Sequence, residues 1–264
     1  MTADKGLHCD TVVLAIANPM VRRALSDEFR HRDVDKVIAV PDWEALKEAI
    51  AHETMDVFVA DDLLWENQTG PLIRDIRLGA AHAHPFPLVL TLAHQQTEAA
   101  LRAMIDCGPD AIVLTPVSIA DLFSKIERLA AGRKPFIVTR NYVGPDRRTG
   151  TREGAAPPRF VDAPNTIASN RNPEALKNAL ENSSSALKTA KMECSLDQLA
   201  YALKSGSAQD FEELIPAVEH LARSTSKAAL KDAAQELVAA LKSKVIDNVM
   251  RAGQKLLVAA AGRA

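Results

Sequence analysis

Apolar runs of four to seven residues recur between Thr11 and Ala131 and alternate with longer amphipathic segments. Five runs have the length and β-branched content of buried strands, and they are 11–17, 36–40, 56–60, 87–91 and 111–114. Helix-start chemistry stands between them, since Asn18 precedes a proline and Ser118 precedes Asp121 by three residues. Near-continuous apolar strands that alternate with helices predict a parallel sheet covered on both faces.

The last third of the chain has helical periodicity instead. Its pattern predicts helices from Pro173 to about residue 191, over 194–203, over 210–222, and from residue 226 onward. In the last of these, apolar residues recur at three- and four-residue steps from Leu230 to Leu256. One continuous helix would make this stripe roughly 40 Å long at 1.5 Å per residue. Because the shorter helices could cover only part of it, we expect a homodimer or a partner on the remainder.

Charge is distributed unevenly along the chain. Residues 1–132 are acidic, with 12 Lys+Arg and 20 Asp+Glu. Residues 133–172 are basic, with 8 Lys+Arg and 3 Asp+Glu, and residues 173–264 are nearly neutral, with 12 Lys+Arg and 11 Asp+Glu. We therefore predict three parts with these boundaries: an α/β domain, a basic linker containing proline and arginine, and an all-α region. Residues from Thr149 to about Pro173 are poor in large apolar side chains, which predicts a mobile linker or an irregular strap.

The basic linker contains local signals of its own. Phe136-Ile137-Val138 indicates a short extra strand, and Gly144-Pro145-Asp146 predicts a turn that presents Arg147 and Arg148 outward. Arg147 and Arg148, together with Arg140, are candidates for binding carboxylates or phosphates of an anionic partner. The alternative is a solvated linker, or one that lies back on the acidic N-terminal part.

Several landmarks of the first half resemble one known family. The segment from Asn18 to Leu25 looks like the start of its first helix, Asp61 ends the third strand, and Cys107-Gly108 and Thr115-Pro116 flank the fifth. About half the chain thus resembles the receiver domain of bacterial two-component response regulators. The resemblance implies a flavodoxin-like (βα)5 fold with a five-stranded parallel sheet, followed here by the all-α region.

The resemblance also implies roles for individual positions. In receivers an aspartate at the Asp61 position accepts a phosphoryl group, an acidic pair after the first strand holds Mg²⁺, a Thr or Ser ends the fourth strand, and a lysine precedes the proline after the fifth. The residues of this chain at the supporting positions are Ile16 and Ala17 for the acidic pair, Ala93 with Thr91 nearby for the hydroxyl, Thr115 before Pro116 for the lysine, and Ile112 for the aromatic switch.

These replacements remove the groups that stabilise phosphoryl transfer, because cations neutralise charge on the transferring oxygens. Asp61 and Asp62 are adjacent, so only one of them faces the pocket and together they make a poor metal site. We therefore expect no Mg²⁺ binding, no other cofactor and no catalysis. For Asp61 two interpretations stay open: residual phosphate acceptance, or a solvated carboxylate that closes a strand.

Three histidines call for separate interpretation. His220-Leu221-Ala222-Arg223 faintly resembles the phosphohistidine motif of histidine phosphotransfer domains, although Ala222 and Ser224 depart from it, and an exposed or packed helix residue is the alternative. His82 and His84 have the spacing of a weak metal pair, yet no other ligand stands near in sequence, which favours a solvated loop. We therefore predict no metal site.

The chain as a whole is expected to be a cytoplasmic signalling adaptor. It has no apolar run of membrane-spanning length, its three cysteines form no CxxC pair, and it has no GxGxxG, P-loop or nucleophile-elbow motif. We expect it to bind signalling proteins independently of phosphorylation in a two-component or phosphorelay pathway. The alternatives are a DNA-binding output through the basic linker, which the nearly neutral C-terminal region does not favour, and a degenerate histidine-phosphotransfer-like C-terminal domain.

Overall fold

Five parallel strands form the central sheet in the computed structural model of the chain. The structure describes residues 9–62, 64, 68–94, 97–139, 141–148, 159–167, 172–205, 208–225, 227–243 and 245–261. The strands are β1 (Thr11–Ala15), β2 (Lys36–Ala39), β3 (Val57–Asp61), β4 (Leu88–Ala93) and β5 (Ala111–Leu114). Their order is β2-β1-β3-β4-β5, with every neighbouring pair parallel. This is the flavodoxin-like order of receiver domains, so the predicted fold is confirmed.

Four helices connect these strands, a fifth follows β5, and together they cover both faces of the sheet. They are α1 (Pro19–His31), α2 (Trp43–His52), α3 (Thr69–Leu78), α4 (Glu98–Ile105) and α5 (Ile119–Ala131). The Asn18 side chain accepts the Met20 N–H at 2.9 Å and Ser118 accepts the Asp121 N–H at 3.1 Å, as the capping chemistry predicted. On one face Phe29 of α1 and Phe123 of α5 stack with ring centroids 4.7 Å apart, and on the other α2 and α3 bury Leu46 and Ile73.

The basic segment contributes a second, smaller sheet. Its strands are β6 (Phe136–Val138), β7 (Val143–Pro145) and β8 (Arg159–Val161), in the order β7-β6-β8. The strand prediction for Phe136–Val138 is confirmed, whereas the turn predicted at Gly144-Pro145-Asp146 is wrong. Gly144 serves close packing instead, because a Cβ added there would lie 2.8 Å from the Cα of Gly108.

Part of the segment predicted to be a mobile linker or irregular strap is fixed on the α/β domain. Asn165 Nδ2 donates to the carbonyl oxygens of Leu129 and Ala130 at the end of α5, at 3.1 and 2.8 Å. Thr166 Oγ1 donates to the Asp56 carbonyl at 2.8 Å, and Ile167 is buried in the core. Residues 149–158 and 168–171 of the same segment lie outside the described part of the chain.

Four helices follow, and two of the predicted boundaries are wrong. They are α6 (Pro173–Ser205), α7 (Ala208–Ser224), α8 (Ala228–Ser243) and α9 (Ile246–Ala261). The break predicted between residues 191 and 194 does not exist, because residues 189–195 include no glycine or proline to end the helix. The single long helix predicted from residue 226 is instead the pair α8 and α9.

The apolar stripe of α8 and α9 folds back on itself. Leu237 of α8 and Leu256 of α9 are fully buried in one core with Leu199 of α6 and Leu214 of α7. Gly253 permits close packing of α9 on α6, since a Cβ there would lie 2.8 Å from a methyl group of Leu203. The 40 Å seam on which the homodimer expectation depended is therefore absent from α8 and α9, whose stripe is covered within the chain.

Contacts divide the described residues into two compact units. The first comprises those within Met1–Ile137 and Asn141–Ser185, and the second those within Val138–Arg140 and Ala186–Ala264. Described residues 141–148 and 159–167 of the basic segment thus belong with the α/β domain. Among the helices that the structure describes, none combines the length and the apolar character needed to cross a bilayer.

Candidate functional site

The carboxylate of Asp61 lies at the carboxyl end of β3, where the parallel sheet of a receiver keeps its acceptor. Its side chain is only 4% exposed, so of the two interpretations left open for Asp61 the solvated carboxylate is wrong. Oδ2 accepts the backbone N–H of Ala17 at 2.6 Å, and Oδ1 lies 3.2 Å from Nε2 of His94. Asp61 is therefore enclosed by donors from two neighbouring strand ends, which compensates for the loss of water.

His94 connects Asp61 to Thr115. Its Nδ1 lies 3.2 Å from Thr115 Oγ1, which donates in turn to the Ala93 carbonyl at 3.1 Å. With a proton on Nε2 the imidazole donates to Asp61, while its Nδ1 faces the Thr115 hydroxyl. Sequence reasoning missed His94. The available signal was its position directly after β4, the strand that lies beside the Asp61 strand β3.

The residues in place of the acidic pair have different environments. Ile16 is buried in the core, and its carbonyl accepts Nη1 of Arg22 at 2.6 Å. Ala17 has an exposed methyl group, while its N–H binds Asp61. Where receivers present two carboxylates, this chain therefore presents an apolar side chain and one backbone donor.

Asp62 and Thr91 do not join Asp61. Asp62 accepts the backbone N–H of His94 through Oδ2 at 3.0 Å, so it fixes the loop that carries the imidazole. Thr91 is fully buried and pairs in register with Ala60 of β3. Ala60 belongs to the core on one face of the sheet, and its neighbour Val59 belongs to the core on the other face. The residue in register with Asp61 is Leu92, so no hydroxyl stands at that point of β4.

Thr115 and Pro116 follow β5, at the same edge of the sheet as Asp61. The peptide bond between them is cis, and the Thr115 N–H donates to the Ala93 carbonyl at 3.0 Å. Thr115 thus replaces the lysine position with a short neutral side chain that reaches His94 rather than a phosphoryl oxygen. Ile112, at the position of the aromatic switch, is half-buried within β5.

This set of donors does not fit Mg²⁺. A magnesium site needs oxygen ligands at near-octahedral geometry, usually with carboxylates from the protein. Both oxygens of Asp61 face N–H donors, Ile16 and Ala17 add no carboxylate, and Asp62 is directed to the His94 backbone. Among the described residues, no group of three His, Cys, Asp or Glu side chains is placed to hold a metal ion.

A second polar cluster lies at the opposite edge of the sheet, where Asp110 precedes β5. Arg133 binds Asp110 through two hydrogen bonds of 2.9 Å, and Arg77 Nη2 donates to the same carboxylate at 2.7 Å. The remaining guanidinium donors of both arginines reach backbone carbonyls of residues 85–87, 108 and 164. The ring of Phe136 lies 4.8 and 5.1 Å from the two guanidinium carbons.

Burial and charge act against each other in this cluster. Burial lowers the pKa of Arg77 to about 10, and although burial alone would raise the pKa of the Asp110 carboxyl, Arg133 and Arg77 hold it below its usual range. Two cations share one carboxylate, so this cluster by itself has an excess positive charge, which the backbone carbonyl dipoles stabilise. The first residue of the predicted linker, Arg133, is thus part of the domain's interior.

Of the three arginines singled out in the basic segment, Arg147 and Arg148 are exposed but contact their own domain. Arg147 Nη2 donates to the carbonyls of Pro109 and Asp110 at 2.6 and 3.2 Å. Arg148 pairs with Asp146 at 2.9 Å and lies over the ring of Phe160. Arg140 lies outside the described residues. Of the alternatives for the basic linker, the contacts of Arg147 match a segment that lies back on the N-terminal domain.

His82 and His84 are buried, so the solvated loop predicted for them is wrong. His82 Nε2 lies 3.1 Å from the Met55 nitrogen and 3.0 Å from the Glu53 carbonyl oxygen, and its Nδ1 lies 2.8 Å from the His84 carbonyl oxygen. His84 Nδ1 accepts the Phe86 N–H at 3.1 Å. Burial lowers the pKa of His82, and burial together with the nearby His82, Arg133 and Arg77 lowers that of His84 to about 3. Both rings act as neutral structural groups. His220 belongs to α7, but its side chain lies outside the described part.

Comparison with known proteins finds similarity in structure only. No protein-family profile and no curated protein matches the chain. Similar solved structures include the Francisella response regulator 1452 receiver domain (18% identity, TM-score 0.40, 46% of this chain and 95% of that chain) and a response regulator from Thermotoga maritima (17%, 0.40, 47% and 99%). A receiver protein from Pseudomonas putida has 16% identity and a TM-score of 0.40 over 46% and 97%. The strand order and register establish the receiver-type fold independently of these matches.

Proposed function

We propose that this chain is a response-regulator-like signalling adaptor that binds other signalling proteins without being phosphorylated. The observation that carries the proposal is the state of Asp61, whose carboxylate is bound inside the protein by the Ala17 N–H and the His94 imidazole. An acceptor in this environment already has its charge compensated. Neither the Ala17 N–H nor the His94 imidazole is placed to stabilise a phosphoryl group attached to Asp61, because both already bind its free carboxylate.

The chemistry of transfer supports the same conclusion. Attack on a phosphoryl donor needs a carboxylate oxygen free to act as nucleophile and cations placed against the equatorial oxygens. In this chain Ile16 and Ala17 occupy the positions of the acidic pair, and Thr115 occupies the position of the lysine. His94 is the one cation-forming side chain in contact with Asp61 among the described residues, and it holds the ground-state carboxylate rather than a transferred group.

Exposed apolar side chains at the same edge of the sheet support binding of a protein partner. Met20 and Val21 lie at the start of α1, Leu114 ends β5 and Ile119 begins α5, and all four are exposed. Parallel strands end at this edge, so these side chains surround the Asp61 region. Exposed apolar residues around a polar centre are typical of protein interaction surfaces.

Phosphorylation of the full chain tests the proposal most directly. We expect incubation with acetyl phosphate and Mg²⁺ to leave the intact mass unchanged, while a phosphorylation-competent receiver in the same reaction gains one phosphoryl group. A wild-type mass increase that disappears in Asp61→Asn contradicts the proposal. In the double variant Ala17→Asp, Thr115→Lys we expect a measurable gain, because a carboxylate and a cation return to the pocket.

Partner binding is the complementary measurement. Proteins retained from the native cell by the immobilised chain should be retained equally by Asp61→Asn and lost with Met20→Asp, which places a charge in the apolar edge. Arg23→Asp, also on an exposed position of α1, is the matched control and should retain them. Loss of the partners with Asp61→Asn but not with Met20→Asp would place recognition in the pocket and contradict binding through this edge.

A further inference from the structure

A concave pocket lies between α5 and β7, at the edge of the sheet opposite Asp61. Its volume is about 360 Å³, within the range of small-molecule sites. Four cationic side chains line it: Lys125 and Arg128 of α5, Lys134 at the start of the basic segment, and Arg147 after β7. Leu129 adds an apolar wall. The adaptor function proposed above uses none of these residues.

Carboxylates of the described residues balance the cations of this pocket only in part, since Asp146, which interacts electrostatically with Lys134, is already paired with Arg148. In the part of the chain that the structure describes, no carboxylate lies within ion-pairing distance of Lys125, Arg128, Lys134 or Arg147. Asp110 also lines the pocket, but its carboxylate is engaged by Arg77, Arg133 and the Val89 N–H. The buried arginine pair behind the pocket adds positive potential, because two guanidinium groups share that single carboxylate.

Two of the four cations, Arg147 and Arg128, are also held in position by contacts with backbone carbonyls. Arg147 is fixed by its donation to the Pro109 carbonyl at 2.6 Å, and Arg128 Nε donates to the Ser124 carbonyl at 3.2 Å. Each guanidinium keeps further N–H groups that these contacts do not use. A site whose cations are positioned before binding loses less side-chain entropy when an anion arrives.

We infer that this pocket binds a soluble small molecule that carries two or more phosphoryl charges, such as a diphosphate. Four cationic side chains that line one pocket exceed what one carboxylate can neutralise, whereas a diphosphate offers several oxygens to guanidinium and ammonium donors. A concave site of this size favours a small molecule over a nucleic-acid backbone. No aromatic ring of the described residues lines the pocket, so recognition is assigned to the phosphates rather than to a stacked base.

Titration calorimetry of the full chain with inorganic pyrophosphate tests this inference. We expect saturable binding at one site per chain, and at least about tenfold weaker binding in Lys125→Gln, Arg128→Gln. The matched control, Arg23→Gln, Arg102→Gln, removes the same charge from exposed positions of α1 and α4 and should leave the affinity within about twofold. Arg128→Lys keeps the charge and should keep most of the binding.

Three outcomes would overturn the inference. The first is the absence of saturable binding, and the second is equal weakening in the pocket variant and the control, which means general attraction to a basic surface. The third is tighter binding of a short single-stranded oligonucleotide that is lost in the same pocket variant. Thermal unfolding of both double variants should match that of the wild type, so a loss of binding is not a loss of fold.

Discussion

Arg133 and Asp110 form a buried two-point ion pair in which Nε meets Oδ1 and Nη2 meets Oδ2, both at 2.9 Å. The two side chains are 2% and 1% exposed. Arg133 directly follows α5 and its terminal Gly132, and Asp110 directly precedes β5. The pair therefore attaches the beginning of the basic segment to the amino edge of the sheet, and β6 and β7 follow from that point.

We predict that Arg133→Ala destabilises the α/β domain by about 1–3 kcal/mol. Arg77 still pairs with Asp110, but Asp110 Oδ1 and the Phe86 and Pro164 carbonyls lose the buried donor that Arg133 supplies. Arg148→Ala, whose partner Asp146 is at the surface, should change stability by no more than about 1 kcal/mol. Urea unfolding of both variants gives the comparison. Equal small effects would mean that the Arg133 pair contributes no more than a surface contact.

The domain should also lose stability in acid because of His84. Its pKa in the folded state is lowered to about 3, so below the ordinary histidine value the unfolded chain binds a proton that the folded chain does not. Stability is therefore unaffected above about pH 6.5 and falls as the pH drops from there toward 3, by at most ~1.4 kcal/mol per pH unit for this residue.

The measurement is the pH dependence of unfolding in His84→Asn, whose amide oxygen can still accept the Phe86 N–H. We expect a shallower loss of stability below pH 6.5 in this variant than in the wild type. His31→Asn changes a histidine at an exposed position of α1 and should keep the wild-type slope. A His84→Asn slope identical to that of the wild type would show that His84 does not cause the acid sensitivity.

The sequence predicted the elements better than the polar pairings. Apolar runs located the five strands, and Asp61 could be placed because it directly follows such a run. His94 contacts Asp61 and Thr115 across 33 and 21 residues, and Asp110 contacts Arg77 and Arg133 across 33 and 23. Local periodicity does not predict which polar side chains pair over such separations, because these pairs form only when distant strands and helices pack together.

Helix boundaries in the second unit show the same limit. The stripe from Leu230 to Leu256 has one period throughout, so the pattern alone could not reveal that α8 and α9 are separate. The division follows from packing, because α8 ends at Ser243, α9 begins at Ile246, and the two helices bury Leu237 and Leu256 in one core. Periodicity identified the buried face correctly and the length of the helix wrongly.

Leu237 should accordingly be a residue of the internal core. We predict that Leu237→Ala lowers the free energy of unfolding of the helical unit by about 2–5 kcal/mol, through lost burial and the cavity left behind. Val258→Ala, on α9 with a largely exposed side chain, should cost no more than about 0.5 kcal/mol. Helicity followed by circular dichroism during denaturation reports both.

Protein concentration separates this interpretation from a dimer seam. If Leu237 packs within one chain, the effect of Leu237→Ala on the unfolding midpoint is the same at low and high protein concentration. A loss of stability that grows on dilution would contradict internal packing and restore the intermolecular seam.

Gly108 is expected to be the most sensitive glycine of the α/β domain. Its φ is +89°, and a Cβ added there would lie 2.4 Å from the Val143 carbonyl oxygen of β7. Gly108→Ala therefore combines an unfavourable backbone conformation with a collision against backbone that has little room to move. We predict a loss of at least about 1–3 kcal/mol in the free energy of unfolding.

Two other glycines separate the backbone effect from the collision. Gly79 has a φ of +71° but no atom within 4 Å of an added Cβ, so Gly79→Ala should show the conformational cost alone, about 1 kcal/mol. Gly132 has an extended φ of −170° and equally open surroundings, so Gly132→Ala should be nearly neutral. Urea unfolding should rank the losses Gly108, then Gly79, then Gly132. Equal losses of unfolding free energy in Gly108→Ala and Gly79→Ala would mean that β7 is not in close contact with Gly108 in solution. The basic segment would then not be packed against the domain at Gly108.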